Sequence, residues 1–172
     1  MAYTFRKASV LDIQSIQDMA EIAFRHTYKD LITPEQMDYM MEWMYSEHSI
    51  TSQMDKGHEY HIASIDGKDV AYVSFRVDSP NDKGRILFHL EKIYVLPDYQ
   101  GTGLGKMLLE YAESKMKQYA FPQSCSYELN VNRGNKAVGF YQKQGLYIDR
   151  TGDFPIGKGF FMNDYIMRKD LE

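Results

Sequence analysis

Hydrophobic and polar positions follow two different periods along the chain, and each change of period marks a change of secondary structure. A short extended segment at residues 3–7 precedes two stretches, 13–24 and 37–44, in which apolar residues recur at helical spacing. Ser9 and Thr33 each open a capping box just ahead of one of these stretches. The first part of the chain therefore predicts one strand followed by two helices, with a third short helix possible before Gly57.

The pattern then becomes extended. Residues 60–65 and 70–77 flank Asp66-Gly67, which is a strong hairpin signal. The polar segment 79–82 predicts a loop, and residues 85–95 predict a long strand that ends before Pro97. We expect three consecutive strands here.

The last part of the chain alternates between the two periods. It predicts two helices and three strands, at residues 103–119 (helix), 127–131 (strand), 135–144 (helix), 146–150 (strand) and 160–168 (strand). Gly145 is placed to end the second helix in a left-handed cap. The element order indicates an α+β (mixed α/β) fold with one central sheet and helices on its faces.

Composition narrows the class of protein. A chain of 172 residues, 44% hydrophobic and 26% charged, predicts a single globular domain over residues 1–172. The net charge of −4 argues against binding to nucleic acid, and no apolar run approaches the roughly 20 residues that cross a bilayer. With one cysteine, Cys125, no metal-ligand spacing and no secretory signal, we expect a cytoplasmic protein without a resident metal.

The most informative stretch is the glycine-rich turn between the long strand and the helix after it. It reads Gln100-Gly101-Thr102-Gly103-Leu104-Gly105-Lys106. Such a turn directs several backbone N–H groups toward the positive end of a helix dipole, which suits a pyrophosphate. The three glycines keep side chains away from the backbone, and Lys106 adds a positive charge at the rim.

Two common phosphate-binding motifs do not fit this spacing. A P-loop would need glycine where Gln100 stands and serine or threonine where Met107 stands. A dinucleotide fingerprint beginning at Gly101 would need glycine in place of Lys106. The spacing that does fit is Q/R-x-x-G-x-G/A.

With this motif the chain resembles the GNAT family of N-acetyltransferases, whose pyrophosphate loop has that pattern. Two other blocks match the family as well. They are the strand Leu90-Glu91-Lys92-Ile93-Tyr94-Val95, and Leu129-Asn130-Val131 followed by Asn135, Ala137, Tyr141, Gly145 and Leu146. The resemblance covers essentially the whole chain. It implies a mostly antiparallel, twisted sheet of about seven strands that is splayed between strands 4 and 5.

The resemblance also implies a cosubstrate, acetyl-CoA, and the residues that would bind it. The segment 100–106 would hold the diphosphate, and the backbone of Ile93, Tyr94 and Val95 would pair with the pantetheine amides as an added strand does. Asn135 would contact the cosubstrate from the opposite wall.

Catalysis requires a base for the protonated amine and an acid for the departing thiolate. Tyr141 stands where the family keeps its acid. Many relatives have a glutamate where this chain has His89, so His89 is one candidate base, and Glu91, acting through water, is another. A structural role for either residue stays open.

The segments 153–160 and 162–167 resemble the bacterial branch that acetylates spermidine and spermine. The leading hypothesis is therefore acetyl transfer to a primary amine of a small molecule such as a polyamine, by direct attack in a ternary complex. The alternatives are a non-catalytic acyl-CoA sensor or regulatory module, a peptide N-terminal or lysine acetyltransferase, and a nucleotide-binding protein of another fold. Relatives often pair, so a homodimer is also expected.

Overall fold

Capping motifs set the beginnings of the first helices. In the computed structural model, which describes residues 2–172, the Ser9 side chain accepts a hydrogen bond from the Leu11 amide, and Asp12 accepts one from the Ser9 amide. Thr33 accepts in the same way from the Gln36 amide. Each motif satisfies N–H groups that a helix start leaves unbonded.

Across residues 2–172 the chain forms seven strands, five α-helices and two short 3-10 turns. The strands are β1 (Thr4–Lys7), β2 (Glu59–Ile65), β3 (Lys68–Asp82), β4 (Arg85–Val95), β5 (Cys125–Asn132), β6 (Tyr147–Gly157) and β7 (Phe160–Leu171). The helices are α1 (Ile13–Tyr28), α2 (Pro34–Tyr45), α3 (Glu47–Asp55), α4 (Leu104–Ala120) and α5 (Ala137–Lys143), with 3-10 turns at Val10–Asp12 and Pro97–Tyr99. None of these helices is both long and apolar enough to cross a membrane.

The strands lie in one sheet in the order β1-β2-β3-β4-β5-β7-β6. The pair β4–β5 is parallel, whereas the pairs β1–β2, β2–β3, β5–β7 and β6–β7 are antiparallel. The expected mostly antiparallel α+β fold is confirmed. The paired register of β4 and β5 runs only from Ile86 to Leu90, although β4 continues to Val95.

One predicted loop is wrong. Residues 79–82 continue β3, and the chain reverses instead at Lys83 and Gly84, both of which have positive φ. The side chain of Asn81 accepts a hydrogen bond from the Gly84 amide at 2.9 Å and so stabilises this turn. Pro80 is tolerated in the strand because this part of β3 is exposed.

By its contacts the chain divides into two compact units. The first unit comprises Met1–Arg76 and Lys92–Ala112, and its core contains an aromatic cluster of Phe24, Tyr45, Tyr72 and Tyr94. The hydroxyl groups of Tyr45 and Tyr72 lie 2.7 Å apart, so these two buried phenols satisfy each other.

A buried lysine reinforces the first unit. Lys92, only 7% exposed, donates hydrogen bonds to the Tyr60 hydroxyl and to Gln53 Oε1 at 2.9 Å. Its ammonium also lies 4.8 Å from the centre of the Tyr45 ring. The contact links β4 to α2 and α3, and it compensates for the burial of the charge.

The second unit comprises Val77–Glu91 and Glu113–Glu172. On one face of β5, Tyr127 is fully buried and donates to Glu113 at 2.6 Å, and Lys169 of β7 donates to the same carboxylate at 2.9 Å. We call this the Tyr127 face. The side chains of Ser126, Glu128, Asn130 and Asn132 alternate to the other face, which we call the Glu128 face.

Candidate functional site

The turn after β4 is fixed by contacts at both of its ends. The Leu96 amide donates to the Val70 carbonyl at 2.9 Å, and Pro97–Tyr99 then forms a 3-10 turn. The Gln100 side chain returns to the end of β4, where it donates to the Val95 carbonyl at 3.1 Å. These contacts hold the glycine segment in one place relative to the strand that precedes it.

Gly101 and Gly103 give this segment its shape. Their φ angles are +76° and +87°, a region that residues with a side chain rarely adopt. No heavy atom lies within 4 Å of the position that a Cβ would take at either residue, so the space beside them is open. Between them, Thr102 donates to the Tyr99 carbonyl at 2.6 Å, which ties its side chain to the preceding 3-10 turn.

The amides at the start of α4 have no acceptor. In the described chain, no backbone carbonyl accepts a hydrogen bond from the N–H groups of residues 103–106; the ladder begins with Met107, which donates to Gly103 at 3.1 Å. Lys106 is exposed and pairs only loosely with Glu110, at 3.9 Å. Free N–H groups, a helix dipole, open space and a nearby ammonium together fit the diphosphate of acetyl-CoA.

Within β4, the candidate base His89 lies in register with Glu128 of β5. His89 and Glu91 are both partly exposed, so a substrate can reach them. Farther along the strand, Ile93, Tyr94 and Val95 are partly exposed too, and the Tyr94 ring packs 5.9 Å from that of Phe24. The side chain of Tyr94 therefore belongs to the aromatic core of the first unit.

Asn135 and Tyr141 lie on either side of the start of α5. The Asn135 side-chain oxygen accepts from the Ala137 amide at 2.8 Å and so satisfies the first N–H group of this helix, while no described residue accepts from its side-chain amide. Tyr141 is buried, 8% exposed, and its ring centre lies 5.4 Å from that of Phe140. Gly145 ends α5 with φ +96°, as predicted.

Sequence reasoning missed the polar residues of the Glu128 face. Glu128 accepts from Arg150 at 2.8 Å and from Arg168 at 3.4 Å, and Asp164 of β7 is 1% exposed. None of these residues stands in a local motif. Only the strand register, which pairs Glu128 with Arg168 and Asn132 with Asp164, brings them together.

The model of the acetyltransferase (GNAT) family matches residues 16–146 of the chain. The chain belongs to the GNAT family. The resemblance found in the glycine segment and the two accompanying blocks is thereby confirmed, and with it the use of acetyl-CoA. The protein is a GNAT-type N-acetyltransferase.

Curated relatives of the chain are also named as N-acetyltransferases. A spermidine N(1)-acetyltransferase of Thermoplasma acidophilum is 22% identical over 178 residues, which cover 100% of this chain and 99% of the relative. An uncharacterized N-acetyltransferase of Mycobacterium tuberculosis is 31% identical over 110 residues, 63% of this chain and 65% of that protein.

Solved GNAT structures share the fold. The PaiA N-acetyltransferase of Thermoplasma acidophilum, crystallised with coenzyme A, aligns with a TM-score of 0.79 at 22% identity, over 99% of this chain and 100% of that one. The ribosomal-protein-S18-alanine N-acetyltransferase of Escherichia coli aligns with a TM-score of 0.70 at 20% identity, over 98% and 94% of the two chains. At such identities the likeness extends to the fold alone.

Proposed function

We propose that this GNAT enzyme transfers the acetyl group of acetyl-CoA to a primary amine of a small molecule, with both substrates bound at once. The observation that carries the proposal is the row of amides at residues 103–106, for which the described chain offers no backbone acceptor, next to the open Cβ positions of Gly101 and Gly103. A helix start of this kind attracts a diphosphate and gives the cosubstrate a fixed anchor.

The remaining contacts to the cosubstrate follow from the family motifs. Gln100 and the segment up to Lys106 would hold the diphosphate, and the backbone of residues 93–95 would pair with the pantetheine amides. Asn135 would add its free side-chain amide. That role is compatible with its contact to the Ala137 amide, because this contact uses only the side-chain oxygen.

Tyr141 is proposed as the acid that protonates the departing thiolate. A phenol, with an ordinary pKa of about 10, is matched to a thiol of about 8.5, and its burial limits competition from water. His89 and Glu91 are the candidate bases carried by β4. A base is needed because an alkylammonium group, with a pKa of about 10.4, must lose a proton before it attacks.

For the amine that accepts the acetyl group, a polyamine is the first candidate. The net charge of −4 favours a polycationic acceptor over an acidic one. The name of the Thermoplasma acidophilum relative, a spermidine N(1)-acetyltransferase, points in the same direction. Peptides are the second candidate, because other relatives are named as acetyltransferases of peptidyl-lysine and of the S18 alanine.

The test is release of free CoA from acetyl-CoA in the presence of spermidine, spermine, free amino acids, a peptide beginning with alanine and a lysine peptide. We expect the polyamines to rank first. Polyamines ranking last, behind a peptide, would transfer the assignment to peptide acetylation. Acetyl-CoA binding measured by calorimetry, without turnover of any amine, would support the non-catalytic sensor instead.

A further inference from the structure

Asp164 is a buried carboxylate that the mechanism above leaves unused. It lies in β7, opposite Asn132 of β5 and Gly152 of β6, and only 1% of its surface is exposed. Among the described residues its one hydrogen bond is a long one, 3.3 Å from the Asn130 amide, and no ion pair reaches it. A buried carboxylate this poorly satisfied is costly to the fold.

Glu128 shows how the same sheet face satisfies a buried carboxylate when the role is structural. Glu128 is 5% exposed and accepts from two guanidinium groups, those of Arg150 and Arg168. Asp164 and Glu128 therefore have similar burial and very different partners. The contrast indicates that Asp164, unlike Glu128, does not serve to stabilise the fold.

The surroundings of Asp164 suit an ammonium group. Asn130, which covers the carboxylate, is exposed, and its 3.3 Å contact is weak enough for an incoming cation to displace. On the same face the ring of Phe154 lies over Gly152, so closely that a Cβ at Gly152 would be 2.4 Å from the ring tip. An aromatic ring beside a carboxylate is a favourable setting for a cation.

The turn that leads to the helix of the candidate acid begins beside Asp164. The Asn135 amide donates to the carbonyl of Asn132, the residue paired with Asp164, so the turn leading to α5 starts where Asp164 lies. A Cβ at Gly145, after α5, would be 3.4 Å from Lys169, which places this helix end on the Tyr127 face. Asp164 is on the Glu128 face, so Asp164 and Tyr141 would approach the reacting carbon from opposite faces of the sheet.

We propose that Asp164 is the proton acceptor for the amine, taking a proton from its ammonium group before attack on acetyl-CoA. This inference rests on the proposed function and names a residue of β7 in addition to the two candidate bases of β4.

Protons and electrons balance in this scheme. The nitrogen loses one proton to Asp164 and attacks the thioester carbon; a C–N bond forms, the C–S bond breaks, and its electron pair leaves on sulfur. The sulfur takes a proton from Tyr141. The second proton lost by the nitrogen restores Tyr141, and Asp164 releases its proton to water.

Electrostatics support the role. Burial raises the pKa of Asp164, whereas the hydrogen bond from Asn130 and the charge of Arg133 act in the opposite direction. Arg133 is itself paired with Asp153 at 2.6 Å. The other charged or titratable groups of the same face are Arg85, His89 and Glu91 on β4, Glu128 on β5, Arg150 on β6, and Arg168 and Asp170 on β7. When the pKa of a carboxyl group is raised, it comes closer to the pKa of the ammonium group that the carboxylate must deprotonate.

The test compares Asp164→Asn with the wild-type enzyme on two amines, spermidine and a weakly basic amine such as trifluoroethylamine, which is already unprotonated at the assay pH. We expect kcat/KM for spermidine to fall about 10²-fold, within the usual range for a general base. The loss should be much smaller for the weakly basic amine. Because both amines are assayed on one preparation, the ratio is independent of how much of the variant folds.

His89→Ala and Glu91→Gln serve as comparison variants, and both should lose less activity than Asp164→Asn. In the wild-type enzyme, the acid limb of the pH profile should lie above the usual carboxyl range. Equal losses on both amines, or full activity of Asp164→Asn, would overturn the inference alone. A wild-type protein that binds acetyl-CoA and acetylates no amine would overturn the proposed function and this inference together.

Stability gives a second readout that a structural role would not produce. Because its folded-state pKa is raised, ionised Asp164 costs stability above that pKa, and the cost disappears as the pH falls. The Tm of Asp164→Asn should therefore equal or exceed that of the wild type at pH 8, with the two converging near pH 4. A much lower Tm for the variant at pH 8 would contradict the assignment.

Discussion

The glycine segment before α4 and the ionic cluster around Glu128 differ in whether their polar groups have partners within the protein. At residues 103–106 the backbone amides have no backbone acceptor within the described chain, and the Cβ positions of Gly101 and Gly103 beside them are open. Around Glu128, Arg150 and Arg168 pair with it, and Arg168 also binds Asp82 at 3.0 Å. The cluster satisfies its own charges and stabilises the second unit, whereas the segment leaves donors for a ligand. We therefore expect the segment to act in binding and the cluster to act in stability.

The largest effect is expected at the candidate acid. Tyr141→Phe removes only a hydroxyl, so the protein should still fold and bind acetyl-CoA, while turnover falls by about 10² or more. Steady-state rates together with calorimetric CoA binding test this. Phe140→Leu is the control, because it changes the neighbouring ring and keeps the phenol. Wild-type turnover in Tyr141→Phe would remove Tyr141 from the mechanism.

A smaller effect is expected in the glycine segment, where the chain offers a matched pair. Gly103 and Gly84 have nearly the same φ, +87° and +85°, and both have open space beside them. Alanine at either position should cost about 1–2 kcal/mol of backbone strain. Only Gly103→Ala should also weaken CoA binding, by roughly tenfold, since about 1.4 kcal/mol changes affinity by that factor.

Calorimetry on the two alanine variants separates strain from binding. An equal loss of CoA affinity in Gly84→Ala and Gly103→Ala would mean that backbone strain alone lowers the affinity, wherever in the chain it is introduced. Unchanged affinity in Gly103→Ala would show that the backbone conformation at this glycine is not needed for binding.

Substitutions in the ionic cluster around Glu128 should lower the stability of the fold. Glu128→Gln leaves Arg150 and Arg168 with a neutral partner, and we expect a loss of about 1–3 kcal/mol in the free energy of unfolding, because hydrogen bonds to charged groups have that size. Urea unfolding measures it. Asp149→Asn, which changes only a more exposed partner of Arg150, should cost less. A Glu128→Gln variant as stable as the wild type would contradict the structural role of the cluster.

The smallest effect concerns acid sensitivity in the first unit. Hydrogen bonds from the Arg6 guanidinium lower the pKa of Asp69 to about 2. A carboxylate with a lowered pKa stabilises the fold above its usual pKa, and this contribution is lost as the pH falls through the lowered value. The Tm difference between wild type and Asp69→Asn should therefore narrow between pH about 4 and 2. A difference that stays constant with pH would contradict the pairing.

The sequence was sufficient where the signal is local. The strand at residues 85–95, the capping motifs at Ser9 and Thr33, and the helix end at Gly145 follow from spacing and turn chemistry, and all are observed. The loop predicted at residues 79–82 failed because Ser, Pro, Asn and Asp favour turns. The extended pairing of β3 outweighed that preference and moved the turn to Lys83 and Gly84.

The polar groups of the second unit could not be predicted in this way. Asp164 and Asn130 are 34 positions apart, and no periodicity links them. They meet only because β5 and β7 pair in one particular register, in which a shift of a single residue would move Asp164 to the other face. The pairing register of strands that are distant in sequence determines which polar residues meet at such sites. A single sequence carries little information about that register.

The central claim is that the amides of residues 103–106 bind the diphosphate of acetyl-CoA. Amide hydrogen exchange, followed residue by residue with and without CoA, tests it most directly. We expect strong CoA-dependent protection of residues 103–106, with exchange of the amides in the β3–β4 turn at Gly84 unchanged. Exchange at residues 103–106 that stays fast when CoA is bound would contradict it.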